Sequence, residues 1–210
     1  MSNRDDLLAG AKKCLLEKGY SRTTARDIAQ ASGVSLAAIG YHFGSKDALM
    51  NEAMFQAIGE WGDHLEEAFA KAGPELSVQD RFTRVFDDVS ATFDENQALW
   101  MASFELIIEI DRIPGAREMF RKAIPEARSG LANLILGIPE DEVSQDLEMG
   151  VGAVLYSLMA GLLIQRFAAT ERTPGGADLA RGLRQLADVL DEDAKARPAA
   201  WTPEVQDHMD

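Results

Sequence analysis

Few residues in this chain have the types and spacing that catalysis needs. The three histidines lie far apart in the sequence, at His42, His64 and His208. The one cysteine, Cys14, falls on the apolar side of a predicted helix, where a small buried side chain is the ordinary role. Neither arrangement has the spacing of a metal site or of a paired nucleophile and base. We therefore expect no metal, no cofactor and no enzymatic activity.

A different chemistry is indicated between residues 24 and 46, which read TARDIAQASGVSLAAIGYHFGSK. Thr24 has the type of a helix N-cap, with Asp27 three residues later as its partner in a capping box. Ser35 and Ser45 predict the starts of a second and a third helix. Two short helices joined by a tight Ser-Gly turn form a helix-turn-helix arrangement, whose second helix can enter the major groove of DNA.

The side chains of the predicted second helix suit such an approach. Its exposed positions are small or flat, so its backbone could come close to base edges. Lys46 and the N–H groups at the start of the third helix suit a phosphate. Arg26 adds a second positive charge, although it could instead pair with Asp27. His42 could equally be a packed residue at the helix end. Residues of this pattern predict a surface that binds double-stranded DNA.

Helical periodicity continues through most of the chain. It predicts an all-α fold: a three-helix head that includes the helix-turn-helix, and a separate helical body. The predicted helices are Asp5–Lys18, the three around residues 24–46 with the last running from Ser45 to Ala72, then Leu76–Asn96, Gln97–Asp111, a segment to Leu136 broken by Pro114 and Pro125, Glu140–Thr170, and a last helix over 177–195.

Charge is distributed unevenly between these two parts. The chain of 210 residues has a net charge of −14. The first 50 residues nevertheless contain seven basic and five acidic residues. A slightly basic head on an acidic body is typical of a protein that offers one face to a polyanion.

The stretches TTARDIAQASGVS and IGYHFGSKDAL, preceded by a helix that ends in Gly-Tyr, resemble the TetR family of bacterial transcriptional regulators. This resemblance covers about residues 4–64. It implies a DNA-binding domain and a helical effector-binding and dimerisation domain, which we assign to residues 1–50 and 51–195. Residues 196–210 are Ala/Pro-rich and polar, and we expect them to form a loose tail. By position in the motif, the implied DNA contacts are Thr24, Arg26, Ser35, Leu36, Ala37, Ala38, Tyr41, His42 and Lys46.

The chain departs from the family pattern inside the second helix of the motif. The family usually has Tyr where this chain has Gly40, and Gly where this chain has Ala37. Tyr41 is one residue further along, which turns a side chain by about 100° around a helix. We therefore do not expect Tyr41 to make the contact that the family tyrosine makes.

The body should hold a pocket for a small-molecule effector. Its candidate lining residues are aromatic and apolar side chains with one carboxylate: Trp61, Phe82, Phe86, Trp100, Met101, Phe104, Glu105 and Tyr156. Glu105 and Glu109 lie one helical turn apart and could attract a cation. Ordinary core packing is the alternative for the aromatic residues, and a solvated edge with Arg112 paired to Glu109 is the alternative for the carboxylates.

Small residues four apart and a leucine repeat predict where two copies meet. Ala153, Ser157 and Gly161 would form a groove that a second helix can approach closely. Leu179, Leu183, Leu186 and Leu190 follow at heptad-like spacing. We expect a homodimer with these helices in a four-helix bundle.

The most specific function that these features predict is a repressor released from a palindromic operator by a small molecule. The alternative is a helical protein-interaction module that does not bind DNA. The apolar run 149–164 is shorter than the roughly 20 residues of a membrane helix, and the first residues lack the pattern of a signal peptide. We therefore expect a cytoplasmic protein without a membrane partner.

Overall fold

The computed structural model describes residues 2–72, 76–168 and 172–196, which form helices and their connections. The helices are α1 (Asn3–Lys18), α2 (Ala25–Ser32), α3 (Leu36–Phe43), α4 (Lys46–Ala72), α5 (Val78–Ala91), α6 (Phe93–Ile108), α7 (Ala116–Leu136), α8 (Gln145–Leu147), α9 (Ala153–Ala168) and α10 (Gly176–Ala196). No strand occurs within the described ranges, and the predicted all-α fold is confirmed. The predicted tail lies outside them, apart from Ala196.

Side-chain caps define the short helices of the head, which comprises α1, α2, α3 and the start of α4. The Thr24 hydroxyl accepts the Asp27 N–H while Asp27 accepts the Thr24 N–H, so the predicted capping box is present. Gly33 then ends α2 with φ at +70°, a conformation that glycine adopts without strain. Ser45 caps α4 by accepting the Ala48 N–H at 3.0 Å. Ser35 precedes α3 as predicted, but its side chain makes no capping hydrogen bond.

The buried core of the head extends into the body. Leu7, Leu15, Ile28 and Ile39 are buried together, as expected for helices too short to be stable alone. The same cluster continues into Leu99, Ala102 and Leu106 on one side of α6. A second buried cluster fills the body between α5, α6, α7, α9 and α10. The head is therefore packed directly on α6.

The predicted boundary between the fifth and sixth helices was wrong. The break falls at Thr92, not at residue 96, because Thr92 has left the helical conformation and its hydroxyl donates to the Asp88 carbonyl at 2.9 Å. Phe93 directly after it is 1% exposed and fixes the start of α6 in the core. The apolar pattern runs unbroken across this point, so periodicity could not locate the turn.

Pro125 was expected to break the chain, yet it lies inside α7. An interior proline costs a helix roughly 3 kcal/mol or more. Ala116, Leu131 and Ile135 of the same helix are buried on both sides of Pro125. Their packing holds the helix together across the missing hydrogen bond.

The segment predicted as one helix from Glu140 to Thr170 is also interrupted. It begins with a 3-10 turn, Glu140–Glu142, and α8 starts only after the N-cap Ser144. A π-helical segment, Glu148–Gly152, joins α8 to α9. At Gly152 an added Cβ would lie 2.6 Å from the Arg128 carbonyl oxygen of α7, so the two backbones meet there. The predicted end at Thr170 lies outside the described residues.

Candidate nucleic-acid interface

The outer side of α3 exposes two small residues between two large side chains. Leu36, Ala37, Gly40 and Tyr41 are exposed, and their spacing places them on one side of the helix. Tyr41 is 85% exposed. Nothing lies within 4 Å of the position that a Gly40 Cβ would take. We call these four residues the recognition face.

The inner side of α3 holds this face against the head. Ile39 is buried in the core, and Ala38 packs against the same cluster. His42 is half-buried, with its ring edge-on to Tyr41 at 4.8 Å and near Phe43 at 6.5 Å. Of the predicted contact residues in α3, Ala38 and His42 therefore lie apart from the recognition face. Ser35 is exposed at its start.

The start of α2 carries one exposed charge beside an occupied cap. Asp27 forms an ion pair with Lys18 at 2.6 Å and hydrogen bonds with Thr24, and these contacts hold the pKa of its carboxyl well below the usual range. Arg26 is exposed and makes no ion pair within the described part of the chain. The alternative pairing of Arg26 with Asp27 is thus not adopted. Arg26 is free to meet a phosphate, whereas the Thr24 hydroxyl is engaged in the cap.

Lys46, at the first residue of α4, is already engaged within the protein. Its Nζ lies 3.0 Å from Asp47 Oδ1 and 5.5 Å from the centre of the Tyr20 ring. The side chain is half-buried. The Asp47 carboxylate and the Tyr20 ring therefore hold the Lys46 ammonium group beside the start of α4.

Tyr20 connects the head to the body through its backbone and its side chain. Glu105 of α6 accepts the N–H groups of Tyr20 and Ser21, each at 3.2 Å. The Tyr20 hydroxyl donates to Asn51 Oδ1 at 2.5 Å, and Asn51 Nδ2 donates to the Pro114 carbonyl at 3.0 Å. Tyr20 is 1% exposed, and burial strongly raises the pKa of its hydroxyl. The turn after α1 is therefore attached directly to Glu105 of α6 and, through Asn51, to the Pro114 carbonyl beyond the end of α6.

The sequence does not predict this connection. By its position Glu105 is a candidate effector contact, and nothing in the pattern gives Asn51 a partner. The available signal was a carboxylate in an otherwise apolar stretch of α6. What that carboxylate accepts depends on which backbone N–H groups the fold brings to it, and periodicity carries no such information.

The predicted effector-pocket residues divide into two groups. Phe82, Phe86 and Trp100 are buried in the core of the body, and Trp61 stands edge-on to Trp100 at 4.8 Å. Tyr156 packs against the same core. The second group, Met101, Phe104 and Glu105, lines a groove between α1 and α6 instead. Apolar spacing alone could not separate core positions from groove positions.

The predicted dimer residues also fall into two groups. Leu179 and Leu183 pack against the core of the body. Leu186 and Leu190 are 55% and 60% exposed. Ser157 is exposed, Ala153 and Gly161 are half-exposed, and an added Cβ at Gly161 would meet nothing within 4 Å. Together with the exposed Val154, Ile164 and Val189, these residues form what we call the bundle face.

One stretch of the body has membrane-like composition. Gln145–Ala168 is long and apolar enough to cross a membrane, and 28% of its most apolar window is buried.

Within the described ranges, no group of three or more His, Cys, Asp or Glu side chains is placed so that it could hold a metal ion.

The model of the family of bacterial regulatory proteins called tetR matches residues 7–53. Those residues run from α1 through the recognition face into α4. Residues 7–53 form a TetR-family DNA-binding domain. The protein is a DNA-binding transcriptional regulator with an N-terminal helix-turn-helix.

Two named transcriptional regulators extend the likeness of this chain beyond the motif. It is 25% identical over 166 residues to the HTH-type transcriptional regulator CymR of Pseudomonas putida, which covers 79% of each chain. It is 29% identical over 106 residues to the HTH-type transcriptional repressor KstR2 of Mycolicibacterium smegmatis, spanning 50% of this chain and 43% of the relative.

Solved structures share the fold over most of this chain. A transcriptional regulator from Rhodococcus sp. RHA1 superposes with a TM-score of 0.67 at 20% identity, over 86% of this chain and 94% of that one. The multidrug binding protein EbrR, solved in complex with proflavin, superposes with a TM-score of 0.62 at 20% identity, over 88% of this chain and 99% of that one.

Proposed function

We propose that the protein is a cytoplasmic, homodimeric repressor that binds a palindromic operator through α3 and is released from it by a small molecule. The observation that carries the proposal is the recognition face, where exposed Ala37 and Gly40 would let the backbone approach base edges between the projecting Leu36 and Tyr41. Small side chains on a groove-entering helix permit direct contact with bases. Arg26 and Lys46 flank this face with positive charge for phosphates.

A second copy of the chain would cover the bundle face. Val154, Ile164, Leu186 and Leu190 are exposed on α9 and α10, and covering them removes apolar surface from water. The open position at Gly161 lets a partner helix approach closely. A twofold dimer would place two α3 helices about 34 Å apart, at successive turns of the major groove. The apolar composition of Gln145–Ala168 is then that of a dimer interface.

Release from DNA would follow from a change in the position of the head relative to the body. The head, assigned to residues 1–50 with the helix-turn-helix at 24–46, shares buried residues with α6 of the body, assigned to 51–195. A small molecule that favours a different position of α6 would move the heads off their spacing. Shifting such an equilibrium from mostly competent to mostly incompetent takes about 5.5 kcal/mol of differential binding.

Binding to DNA from the region upstream of its own gene tests the proposal. We expect fluorescence anisotropy to show salt-dependent binding that Ala37→Glu abolishes, because a carboxylate would then face the groove. Ala91→Glu makes the same chemical change at an exposed position at the end of α5 and should leave binding intact. Absence of binding, or equal binding by the two variants, would favour the alternative of a protein-interaction module.

A further inference from the structure

The recognition face begins with an apolar side chain. Leu36 is the first residue of α3 and is 48% exposed. In a helix-turn-helix, the N-terminal residues of the second helix contact base edges. A leucine side chain has no hydrogen-bond donor or acceptor. If Leu36 distinguishes one base pair from another, it must therefore do so by an apolar contact.

Gly40 leaves the surface beside Leu36 open. The two residues are four apart in α3, so they lie one turn from each other on the same side of the helix. Side chains of a helix lean toward its N-terminus, and a larger residue at position 40 would therefore cover the space next to Leu36. Apart from its chain neighbours and the backbone of its own helix, nothing lies within 4 Å of the position of a Gly40 Cβ.

The open surface is bounded on both sides by large side chains. At about 100° per residue, Gly40 and Ala37 fall between Leu36 and Tyr41 around the helix. Tyr41 is 85% exposed, and its ring stands edge-on to the His42 ring at 4.8 Å. Leu36, Ala37 and Gly40 thus form a shallow apolar surface without a polar side chain, which we call the apolar notch.

The chemistry of the apolar notch suits one group of the major groove. Adenine, guanine and cytosine present hydrogen-bond donors and acceptors there, whereas thymine also presents the methyl group on C5. A donor or acceptor pressed against the notch would lose its water without gaining a partner. A methyl group placed there would instead remove apolar surface from water on both sides of the contact.

We propose that Leu36 selects a thymine in each operator half-site by packing on its C5 methyl group, in the space that Gly40 leaves open. This inference rests on the proposed function, because it takes α3 as the helix that enters the major groove. It goes further by naming the base and the group on it that one side chain recognises. Burial of one methyl group should raise the affinity about fourfold, the equivalent of about 0.8 kcal/mol.

Removing the methyl group from the DNA and its partner from the protein tests this contact. In a duplex that the unmodified protein selects from random DNA, each thymine of one half-site is replaced in turn by deoxyuridine, which lacks only the methyl group. At one position this should weaken binding about fourfold, as measured by fluorescence anisotropy. For Leu36→Ala, thymine and deoxyuridine at that position should bind equally well.

Leu16→Ala is the matched protein control, because Leu16 is 46% exposed on α1, outside the recognition face. It should keep the fourfold difference between thymine and deoxyuridine. Cytosine and 5-methylcytosine at the same position give an independent comparison, since they differ by the same methyl group. The unmodified protein should bind the methylated duplex about fourfold more tightly, and Leu36→Ala should bind the two duplexes equally.

The outcomes separate this contact from the proposed function. If the protein bound no DNA, the proposed function and the contact would fall together. If it bound DNA with equal affinity for thymine and deoxyuridine at every position, the contact would be overturned while the proposed function stood, and this comparison needs no variant. Retention of the full difference by Leu36→Ala would also overturn it, because the methyl group would then act through another residue or through the shape of the DNA.

Discussion

Asp27 joins two helices of the head by one carboxylate. It closes the cap of α2 through Thr24 and pairs with Lys18 at the end of α1. These contacts lower the pKa of its carboxyl below the ordinary value of 3.8. A lowered pKa means that the ionised form contributes stability at neutral pH, and that this contribution is lost as the pH falls below 3.8 and through the lowered pKa.

Asp27→Asn should therefore lower the melting temperature near neutral pH. Because Asn retains a capping oxygen and loses only the charge, the difference from the unmodified protein should shrink as the pH falls below 3.8, the ordinary value for Asp. Thermal unfolding followed by circular dichroism over this range checks the result. Asp141→Asn, at an exposed position of the 3-10 turn, is the control. A difference that stays constant with pH would contradict the role of the charge.

Lys46→Ala should weaken DNA binding by similar factors for operator and unrelated sequences. A lysine that contacts a phosphate carries no sequence information, and its loss should reduce the salt-dependence slope by about 1. Anisotropy titrations at several salt concentrations measure both quantities. Lys122→Ala removes a lysine that pairs with Glu118 on the body and should change neither. Unaltered affinity and slope for Lys46→Ala would show that Lys46 stays with Asp47 when DNA binds.

From single residues, the local caps could be predicted, but the contacts with residues on other helices could not. Thr24, Asp27 and Ser45 act on backbone groups three residues away, and their caps are present as predicted. The partners of Asp27 and Glu105 on other helices were not predicted. Lys18 is nine residues from Asp27, and Tyr20 is 85 residues from Glu105. Such pairs depend on how helices cross, which a single sequence does not specify.

At the scale of elements, α7 and the π-helical segment cross at a point set by one glycine. Gly152→Ala should destabilise the protein by about 1–3 kcal/mol, because the new methyl group would overlap the Arg128 backbone. Gly150→Ala, two residues earlier in the same segment, meets open space and should be neutral or slightly stabilising. Urea unfolding of the two variants measures the difference. Equal stability would show that the helices do not cross this closely.

The bundle face makes a separate prediction about α9. Gly161→Leu should fold as a monomer, because its site is open within one chain but would be filled by the partner helix in a dimer. Light scattering measures the mass. Gly59→Leu, at an exposed and equally open position of α4, should remain dimeric. A Gly161→Leu variant that still has the mass of a dimer would refute the proposed interface.

Helix boundaries show where periodicity succeeds and where it fails. The long helix α4 and the head helices were predicted to within a few residues, since Ser, Gly and Asp mark their ends. The turn at Thr92 and the continuation through Pro125 were missed. Burial of Phe93 fixes the turn at Thr92. Burial of residues at both ends of α7 keeps that helix continuous through Pro125. Local signals are weak where tertiary packing holds or breaks a helix.

At the scale of the whole molecule, the head and the body are not independent. Their shared core and the hydrogen bonds of Tyr20 mean that a shift of α6 would move the turn between α1 and α2. The bundle face would fix the other end of the body against a second copy. The sequence indicated which helix holds the recognition face but not that Ala38 and His42 turn away from it, and the contact of α6 with the head required the packed structure.

Selection of bound sequences from a pool of random duplex DNA tests whether the protein binds DNA as a dimer through α3. We expect the protein to enrich a palindrome with half-site centres about 10 base pairs apart, the spacing of two helices on one face of the duplex. Ala37→Glu, which alters only the recognition face, should enrich nothing. Failure of the unmodified protein to enrich any sequence, or enrichment of an isolated half-site without its inverted repeat, would contradict the binding of a palindromic operator by a dimer.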